Sequence, residues 1–148
     1  MNRLGSEKVA IIGVIDPDVT VASTVVSDYG NLGLFEQGMA ILKVGTLGAS
    51  GTVDAKLVQA TDSSGTGSKD ITGKAITQLT QAGTDSDKQV IINIRAEELD
   101  LDNDFDHVAL SVTVGTATSD LDGVLLGLNP RFGPASDNDL ASVDEIVN

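Results

Sequence analysis

Apolar residues alternate with small or polar residues over residues 107–116. The apolar positions are Val108, Leu110, Val112 and Val114. Successive side chains of a β-strand point to opposite faces, so this spacing predicts one apolar face and one polar face. At helical spacing the same residues would be scattered around the axis. The segment is therefore predicted to be a half-buried strand that ends at Gly115.

Similar alternation, or a short apolar run bounded by turn residues, recurs along most of the chain. It predicts further strands at residues 9–15, 19–26, 39–45, 53–61, 74–81, 88–96 and 124–129. In 74–81 the three-residue spacing of Ile76 and Leu79 also fits a helix, but the threonines and flanking glycines favour a strand. Pro17 is expected to end the first strand and Pro130 to follow the last as a stop. Strands 39–45 and 53–61 are expected to pair as a hairpin.

A short internal repeat supports a layered arrangement. Lys43-Val44-Gly45-Thr46 and Thr113-Val114-Gly115-Thr116 each end a predicted strand, and each precedes a short loop and another strand. Two hairpins with the same turn sequence fit two facing sheets. We therefore expect an all-β fold, an antiparallel two-sheet β-sandwich over residues 9–135.

Both termini differ from this central domain. Residues 1–8 are expected to form a loose polar arm, and residues 136–148 a C-terminal tail. The tail carries apolar residues at helix-compatible spacing, namely Leu140, Val143, Ile146 and Val147. Ser142 followed by Glu145 is a possible capping box. These features predict a short helix that docks on its own domain or on a neighbour.

Composition excludes several classes of binding partner and of functional site. The 148 residues suit one domain, and with 3% aromatics and no Trp the core must be aliphatic. No Cys is present, so disulfides and thiolate metal sites are excluded. The net charge of −13 and the dispersed basic residues argue against binding of nucleic acid or of an anionic membrane surface. The apolar run 9–15 is too short to span a bilayer.

The acidic run from Asp100 to Asp106 is the strongest candidate for a metal site, because alternate oxygen ligands bind calcium. A calcium-binding EF-hand loop needs Gly at its sixth position and Glu at its twelfth. Starting at Asp100 these positions hold Phe105 and Ser111, and starting at Asp102 they hold His107 and Thr113. The run is therefore expected to be a solvated connection. Three apolar residues are expected to lie beneath it: Leu99, Leu101 and Phe105.

Catalytic motifs are also incomplete. His107 is the single histidine, and Ser50 lies in a sequence that lacks the Gly-x-Ser-x-Gly spacing. His107 is therefore expected to be a surface residue. The segment 67–75 resembles a phosphate-binding loop, but five residues separate its glycines and Ala75 replaces the Ser or Thr that binds magnesium. We predict no catalytic, cofactor or metal site, and no enzyme activity.

Carbohydrate chemistry stays open on composition alone. Paired carboxylates for glycoside hydrolysis are conceivable among the 22 acidic residues. Sugar sites usually offer aromatic platforms, however, and aromatic residues are scarce here. Tyr29 and Phe35 are the candidates to line such a patch, but anchoring of the core or of a loop is the favoured role.

Several sequence segments between residues 39 and 135 resemble those of a known protein family. They are AILKVGTLGASGTVDAKLVQATDSSGTGSKDITGKAITQLTQ, KQVIINIRAEELD, HVALSVTVGTATSD and LGLNPRFGPA. These segments resemble the sequences of tailed-bacteriophage head structural proteins, a group similar to capsid decoration (cement) proteins. The resemblance covers about two thirds of the chain. It implies a jelly-roll-like sandwich and defines no functional residues.

The resemblance implies a structural role in the virion. Such proteins bind the outside of an assembled head, often as trimers, through the lattice of the major capsid protein. The expected location is the capsid exterior, after synthesis in the host cytoplasm, and the segments outside residues 39–135 are where attachment would vary. The alternative is a tail- or fibre-associated virion module that binds host glycans. A small hydrolase is a third, less favoured hypothesis.

Overall fold

The computed structural model describes residues 3–148, which form ten β-strands and short 3₁₀ turns but no α-helix. The strands are β1 (Val9–Thr20), β2 (Thr24–Val26), β3 (Gly30–Asn31), β4 (Phe35–Leu47), β5 (Thr52–Ala60), β6 (Lys69–Ala75), β7 (Leu79–Thr80), β8 (Gln89–Arg95), β9 (His107–Gly115) and β10 (Ser119–Pro130). The 3₁₀ turns are Gly5–Glu7, Leu32–Leu34, Ala96–Glu98, Leu101–Asn103 and Ala135–Asn138.

The strands form two antiparallel sheets. One has the order β1-β10-β4-β8, and the other the order β2-β9-β5-β6, with β3 added beside β9 and β7 beside β5. This is the strand order of a jelly roll, in which eight principal strands wind as two Greek keys. The predicted all-β, jelly-roll-like sandwich is confirmed.

The core between the sheets is aliphatic, apart from Phe35. In β9 the four alternating apolar residues are at most 2% exposed, which confirms the predicted buried face. Burial of each such side chain contributes about 1.5–3 kcal/mol relative to exposure. Part of the opposite face of β9 is covered as well, since Ala109 and Ser111 are also buried.

The predicted hairpin between residues 39–45 and 53–61 is wrong. These residues lie in β4 and β5, and the two strands belong to different sheets. The repeated Val-Gly-Thr sequences mark the two crossings between sheets, β4 to β5 and β9 to β10. At these crossings Gly48 N donates a hydrogen bond to Thr118 O at 3.0 Å. Alternation shows that each strand has an apolar face, but it does not distinguish a hairpin from a corner of the sandwich.

The prediction that the first strand ends at Pro17 is also wrong. β1 continues to Thr20 through a register shift between Ile15 and Asp18. Proline is tolerated because β1 is an edge strand, where a missing N–H breaks no ladder. The predicted second strand 19–26 is consequently divided between β1 and β2, and the predicted strand 74–81 is interrupted after Ala75.

The C-terminal tail does not form the predicted helix. Beyond the Ala135–Asn138 turn, residues 139–148 are not helical. Ile11 N donates to Asp139 Oδ1 at 2.7 Å, and Leu140 N donates to Ile11 O at 2.9 Å. The tail thus satisfies backbone groups at the free edge of β1, which outweighs a helix too short to be stable alone.

The N-terminal arm is described from Arg3 onward, and residues 1–2 lie outside the described part. Leu4 N donates to Glu7 Oε2 at 2.7 Å within the Gly5–Glu7 turn. The division into an arm at 1–8, a sandwich at 9–135 and a tail at 136–148 stays a prediction.

Candidate functional site

The acidic run begins with a carboxylate that already has partners. The Asp100 side chain accepts hydrogen bonds from Lys69 Nζ and from Asn103 Nδ2, the latter at 2.9 and 3.0 Å. Both contacts lower the pKa of Asp100, and the hydrogen bond from Lys69 has a larger effect than that from Asn103. The backbone N–H of Asp100 donates to Gln59 Oε1 at 2.8 Å. The Lys69 ammonium also lies 3.9 Å from the centre of the Phe105 ring, so these contacts anchor the connection to the sandwich.

The remaining acidic residues of the run do not converge. Within residues 3–148 no group of three or more acidic or histidine side chains is placed to hold a metal ion. Of the apolar residues expected beneath the run, Leu99 is buried and Phe105 half-buried. Leu101 is 50% exposed, so that part of the expectation is wrong. The lack of a calcium site at residues 100–106 stays a prediction.

His107 is more covered than expected. Its side chain is 15% exposed, and Nδ1 lies 2.6 Å from Asp106 Oδ1. His107 therefore lies on the predicted polar face of β9, but most of its side chain is covered. Ser50, in the turn before β5, has a left-handed φ of 59°. His107 pairs with Ala60 at the opposite end of β5, about 27 Å away along an extended strand, so these two residues do not form a catalytic pair.

The segment that resembles a phosphate loop is mostly strand. Residues 69–75 form β6, with no helix after them. Its two lysines are bonded to carboxylates, Lys69 to Asp100 and Lys74 to Glu98. Lys74 Nζ also donates to Asn93 O of β8 at 2.9 Å. This residue thus connects the edges of the two sheets.

The two aromatic candidates do not share a platform. Phe35 is fully buried against Gly127, where a Cβ would lie 2.7 Å from the ring. Tyr29 is half-buried, and its Oη lies 2.8 Å from Ser68 Oγ. Both therefore anchor core or loop, as expected. A concavity beside Tyr29 is lined by Asp16, Asp28, Ser63 and Leu140, among others.

The two terminal segments meet at one end of the sandwich, which sequence analysis did not foresee. Asn129 N donates to Lys8 O at 3.1 Å, and the Gly5–Glu7 turn contacts the Ala135–Asn138 turn. Here Leu4 is 51% exposed and Phe132 is 78% exposed. The Arg3 guanidinium lies beside Gly133, and Arg131 Nε donates to Gly33 O at 3.1 Å. We call Arg3, Leu4, Arg131 and Phe132 the terminal patch.

A second surface is the outer face of the four-stranded sheet. Nine of its outward side chains are aliphatic and at least partly exposed, and we call them the aliphatic face. They are Val9, Ile11 and Val14 in β1, Met39 and Ile41 in β4, Ile91 in β8, and Val124, Leu126 and Leu128 in β10. The sequence signal was the presence of apolar residues on both alternating sets of β1 and β10, which is typical of strands covered on both faces.

Acidic residues border one end of the aliphatic face. A concavity there is lined by Asp18, Asp87, Asp120 and Asp122, with Lys43 as its single basic residue. Lys43 Nζ lies 3.1 Å from Asp122 Oδ2. The far end of the same face carries Arg95, whose partner Glu97 is largely exposed. The face therefore has an acidic end and an end that presents a guanidinium.

Comparison with known proteins identifies no family for this chain, and the similarity to solved structures is weak. No family model matches the chain, and no curated protein matches it. Similar solved structures include a chain of broad bean stain virus, with 12% identity and a TM-score of 0.44 over 75% of this chain and 59% of that one. The chain thus spans less than two thirds of that protein.

Two further structures show the same level of similarity. The empty top component of cowpea mosaic virus is 12% identical, with a TM-score of 0.42 over 86% of each chain. TmCBM61 in complex with β-1,4-galactotriose is 10% identical, with a TM-score of 0.36 over 88% of this chain and 99% of that one. Similarity of this degree carries no argument about function. In the described residues no helix is long and apolar enough to cross a membrane.

Proposed function

We propose that this chain is a virion structural protein that decorates and stabilises the outer surface of a tailed-bacteriophage capsid by binding the lattice of the major capsid protein. It performs no catalytic turnover and binds neither nucleic acid nor membrane. It is made in the host cytoplasm and acts as a homo-oligomer, for which the family resemblance favours a trimer. The resemblance of residues 39–135 to phage head proteins supports this role.

The observation that carries the proposal is the terminal patch. The segments outside the resemblance, where attachment is expected to vary, converge beside two large exposed apolar side chains, Leu4 and Phe132. Burial of a side chain such as Phe132 contributes about 1.5–3 kcal/mol per contact. A capsid lattice repeats this modest contact many times. When several contacts are linked in one oligomer, the overall binding is much stronger than that of a single contact.

The jelly roll provides the rigid scaffold that a decoration protein needs. Its two sheets pack through an aliphatic core and hold the terminal patch at one end. A cement protein needs such a scaffold, because contacts at fixed spacing must match a fixed lattice. It needs no reactive group.

Co-sedimentation with heads assembled from the major capsid protein tests the proposal. We expect the wild type to pellet with heads and Phe132→Ser to bind at least about tenfold more weakly, as for a central apolar contact. Leu101→Ser is the matched control, since Leu101 is 50% exposed but lies in the acidic connection. Electron microscopy of the pelleted heads should show added density on the outside.

Truncations test the placement of the contact. Deletion of residues 1–8, which removes Arg3 and Leu4, is expected to weaken binding. Deletion of residues 144–148 removes no residue of the terminal patch and retains Asp139 and Leu140 at the edge of β1, so it tests a separate contact by the tail. If deletion of residues 1–8 and Phe132→Ser both leave binding normal, the terminal patch is not the contact. If the wild type does not pellet with heads, the decoration role is wrong.

The glycan-binding alternative is favoured by one observation, the concavity beside Tyr29 with two nearby carboxylates, Asp16 and Asp28. It predicts binding on a glycan array that is lost in Tyr29→Ala. An array without signal for the wild type would remove this alternative.

A further inference from the structure

We propose that the aliphatic face is a self-association surface, on which a second copy of this chain packs its own aliphatic face with the strands of the two copies running in opposite directions. This inference goes beyond the proposed function and does not depend on binding to a capsid.

The centre of this face holds nine aliphatic side chains and three polar ones, Gln37, Asn93 and Arg95. Pairing places them in three successive rows: Val14–Val124–Ile41–Ile91, Ile11–Leu126–Met39–Asn93 and Val9–Leu128–Gln37–Arg95. Ile91, on the edge strand, is 58% exposed. An antiparallel sheet with one face in water normally alternates apolar inward and polar outward. This sheet departs from that rule over the centre of its outer face.

The other sheet of the same molecule obeys the rule where its outer face is open to solvent, since its apolar row Ala109–Val58 is buried. Its corresponding rows are Thr24–Thr113–Asp54 and Val26–Ser111–Lys56–Ala75. Lys56 Nζ lies 2.7 Å from Asp70 Oδ1 on this surface, and Thr24 Oγ1 lies 2.8 Å from Thr113 Oγ1. The chain therefore has one polar outer face and one aliphatic outer face, and contiguous exposed apolar surface of this kind marks an interaction site.

Sheet geometry makes a second copy a suitable occupant. Two sheets pack face to face about 10 Å apart, with side chains interdigitating. A two-fold axis that lies across the strands, between the first and second rows, would place the first row of one copy on the second row of the other. The third row would then lie on the charged row Asp122–Lys43–Gln89 of the other copy. The same patch serves both copies, as in isologous dimers.

Charge decides the direction of the strands. A two-fold axis parallel to the strands would bring the two acidic ends together, each with Asp18, Asp87, Asp120 and Asp122 against one Lys43. The axis across the strands separates the acidic ends. It also brings Arg95 of each copy, with its partner Glu97, toward the concavity that holds Asp87 in the other copy. Each acidic concavity then faces an ion pair instead of a second acidic concavity.

The size of the face indicates the strength of the contact. Three rows over four strands span about 14 Å in each direction, which corresponds to roughly 400 Å² with side-chain radii included. A standard interface buries about 800 Å² per partner. The bordering charged rows must therefore contribute, and we expect a dissociation constant near the micromolar range rather than an obligate dimer.

The mass of the purified full-length protein in solution tests the inference, measured by sedimentation velocity from about 1 to about 100 μM. The wild type is expected to associate in an even number of copies: two, or six if a three-fold contact exists elsewhere. Ile91→Lys is expected to halve that mass. Thr113→Lys, on the polar face, should leave it unchanged, and Arg95→Glu should weaken association at least about threefold.

Circular dichroism should show that the three variants fold like the wild type. A wild type that stays monomeric at the highest concentration would overturn the inference. So would a trimer that Ile91→Lys leaves intact, or equal effects of Ile91→Lys and Thr113→Lys. Binding to heads can succeed or fail independently of each of these results.

Discussion

The side-chain oxygen of Ser27 accepts a hydrogen bond from the backbone N–H of Leu110 at 2.9 Å, in the buried interior of the sandwich. Ser27 N in turn donates to Leu110 O at 2.9 Å, and Ser27 Oγ donates to Asp28 O at 2.9 Å. Ser27 lies between β2 and β3, which both pair with β9. One serine therefore continues the hydrogen bonding along β9 where its neighbouring strand is interrupted.

Ser27→Ala is expected to destabilise the fold by about 1–3 kcal/mol, because the Leu110 N–H would stay buried without an acceptor. Ser23→Ala is the control, since the exposed Ser23 Oγ donates only to Val21 O and its loss should change stability by less than about 0.5 kcal/mol. Urea unfolding of both variants gives the comparison. Equal stabilities would show that Ser27 Oγ does not support β9.

Gly127→Ala is expected to destabilise the protein by about 1–3 kcal/mol through overpacking. A Cβ at this position would lie 2.7 Å from the Phe35 ring, which is fully enclosed. Gly5→Ala is the matched control, because no atom lies within 4 Å of a Cβ there. Thermal unfolding should separate the two variants, and an unaffected Gly127→Ala would mean that the Phe35 ring has room to move.

Lys74→Met is expected to raise the pKa of Glu98. That pKa is lowered first by the hydrogen bond from Arg95 N and then by the Lys74 ammonium, 3.0 Å from Glu98 Oε1. A carboxyl group whose pKa is lowered in the folded protein stabilises the fold at any pH above its pKa in the unfolded chain. That stabilisation is lost as the pH falls through the pKa of the folded protein. The variant should therefore lose less stability in acid than the wild type, although the Arg95 bond maintains part of the effect.

Side-chain carboxyl NMR titration measures this shift, and unfolding between about pH 3 and 7 measures its consequence. Lys56→Met is the control, since its partner Asp70 is exposed on the polar face and exposed pairs contribute little. A Glu98 pKa that does not move in Lys74→Met would contradict the proposed role of the lysine.

Calcium at millimolar concentration is expected to leave the backbone amide resonances of residues 100–106 unchanged, because Lys69 and Asn103 occupy the Asp100 carboxylate. Lys69→Met should raise the pKa of Asp100 toward its ordinary value, since Lys69 is the largest cause of the depression. The stabilisation that Asp100 gives above its ordinary pKa should shrink accordingly. A saturable calcium shift in the wild type would show that the acidic run is a site after all.

Local sequence determined the all-β class, the core-facing side of several strands and the composition of the core. The period-two alternation in β5, β8 and β9 predicts which side chains face the core, because that property depends only on the pleat of one strand. The lack of aromatic residues likewise determined that the core is aliphatic. The loops that follow β4 and β9 were predicted as turns, but not as crossings between the two sheets.

Tertiary structure decided what depends on residues distant in the chain. Pro17 continues a strand because β1 lies at an edge, and the tail forms no α-helix because it bonds instead to the N–H and C=O that Ile11 offers at that edge. The terminal patch and the aliphatic face exist only once segments more than 80 residues apart are brought together, as Val14 and Val124 are. Strand partners are chosen by the global packing of apolar faces, and no local pattern encodes that choice.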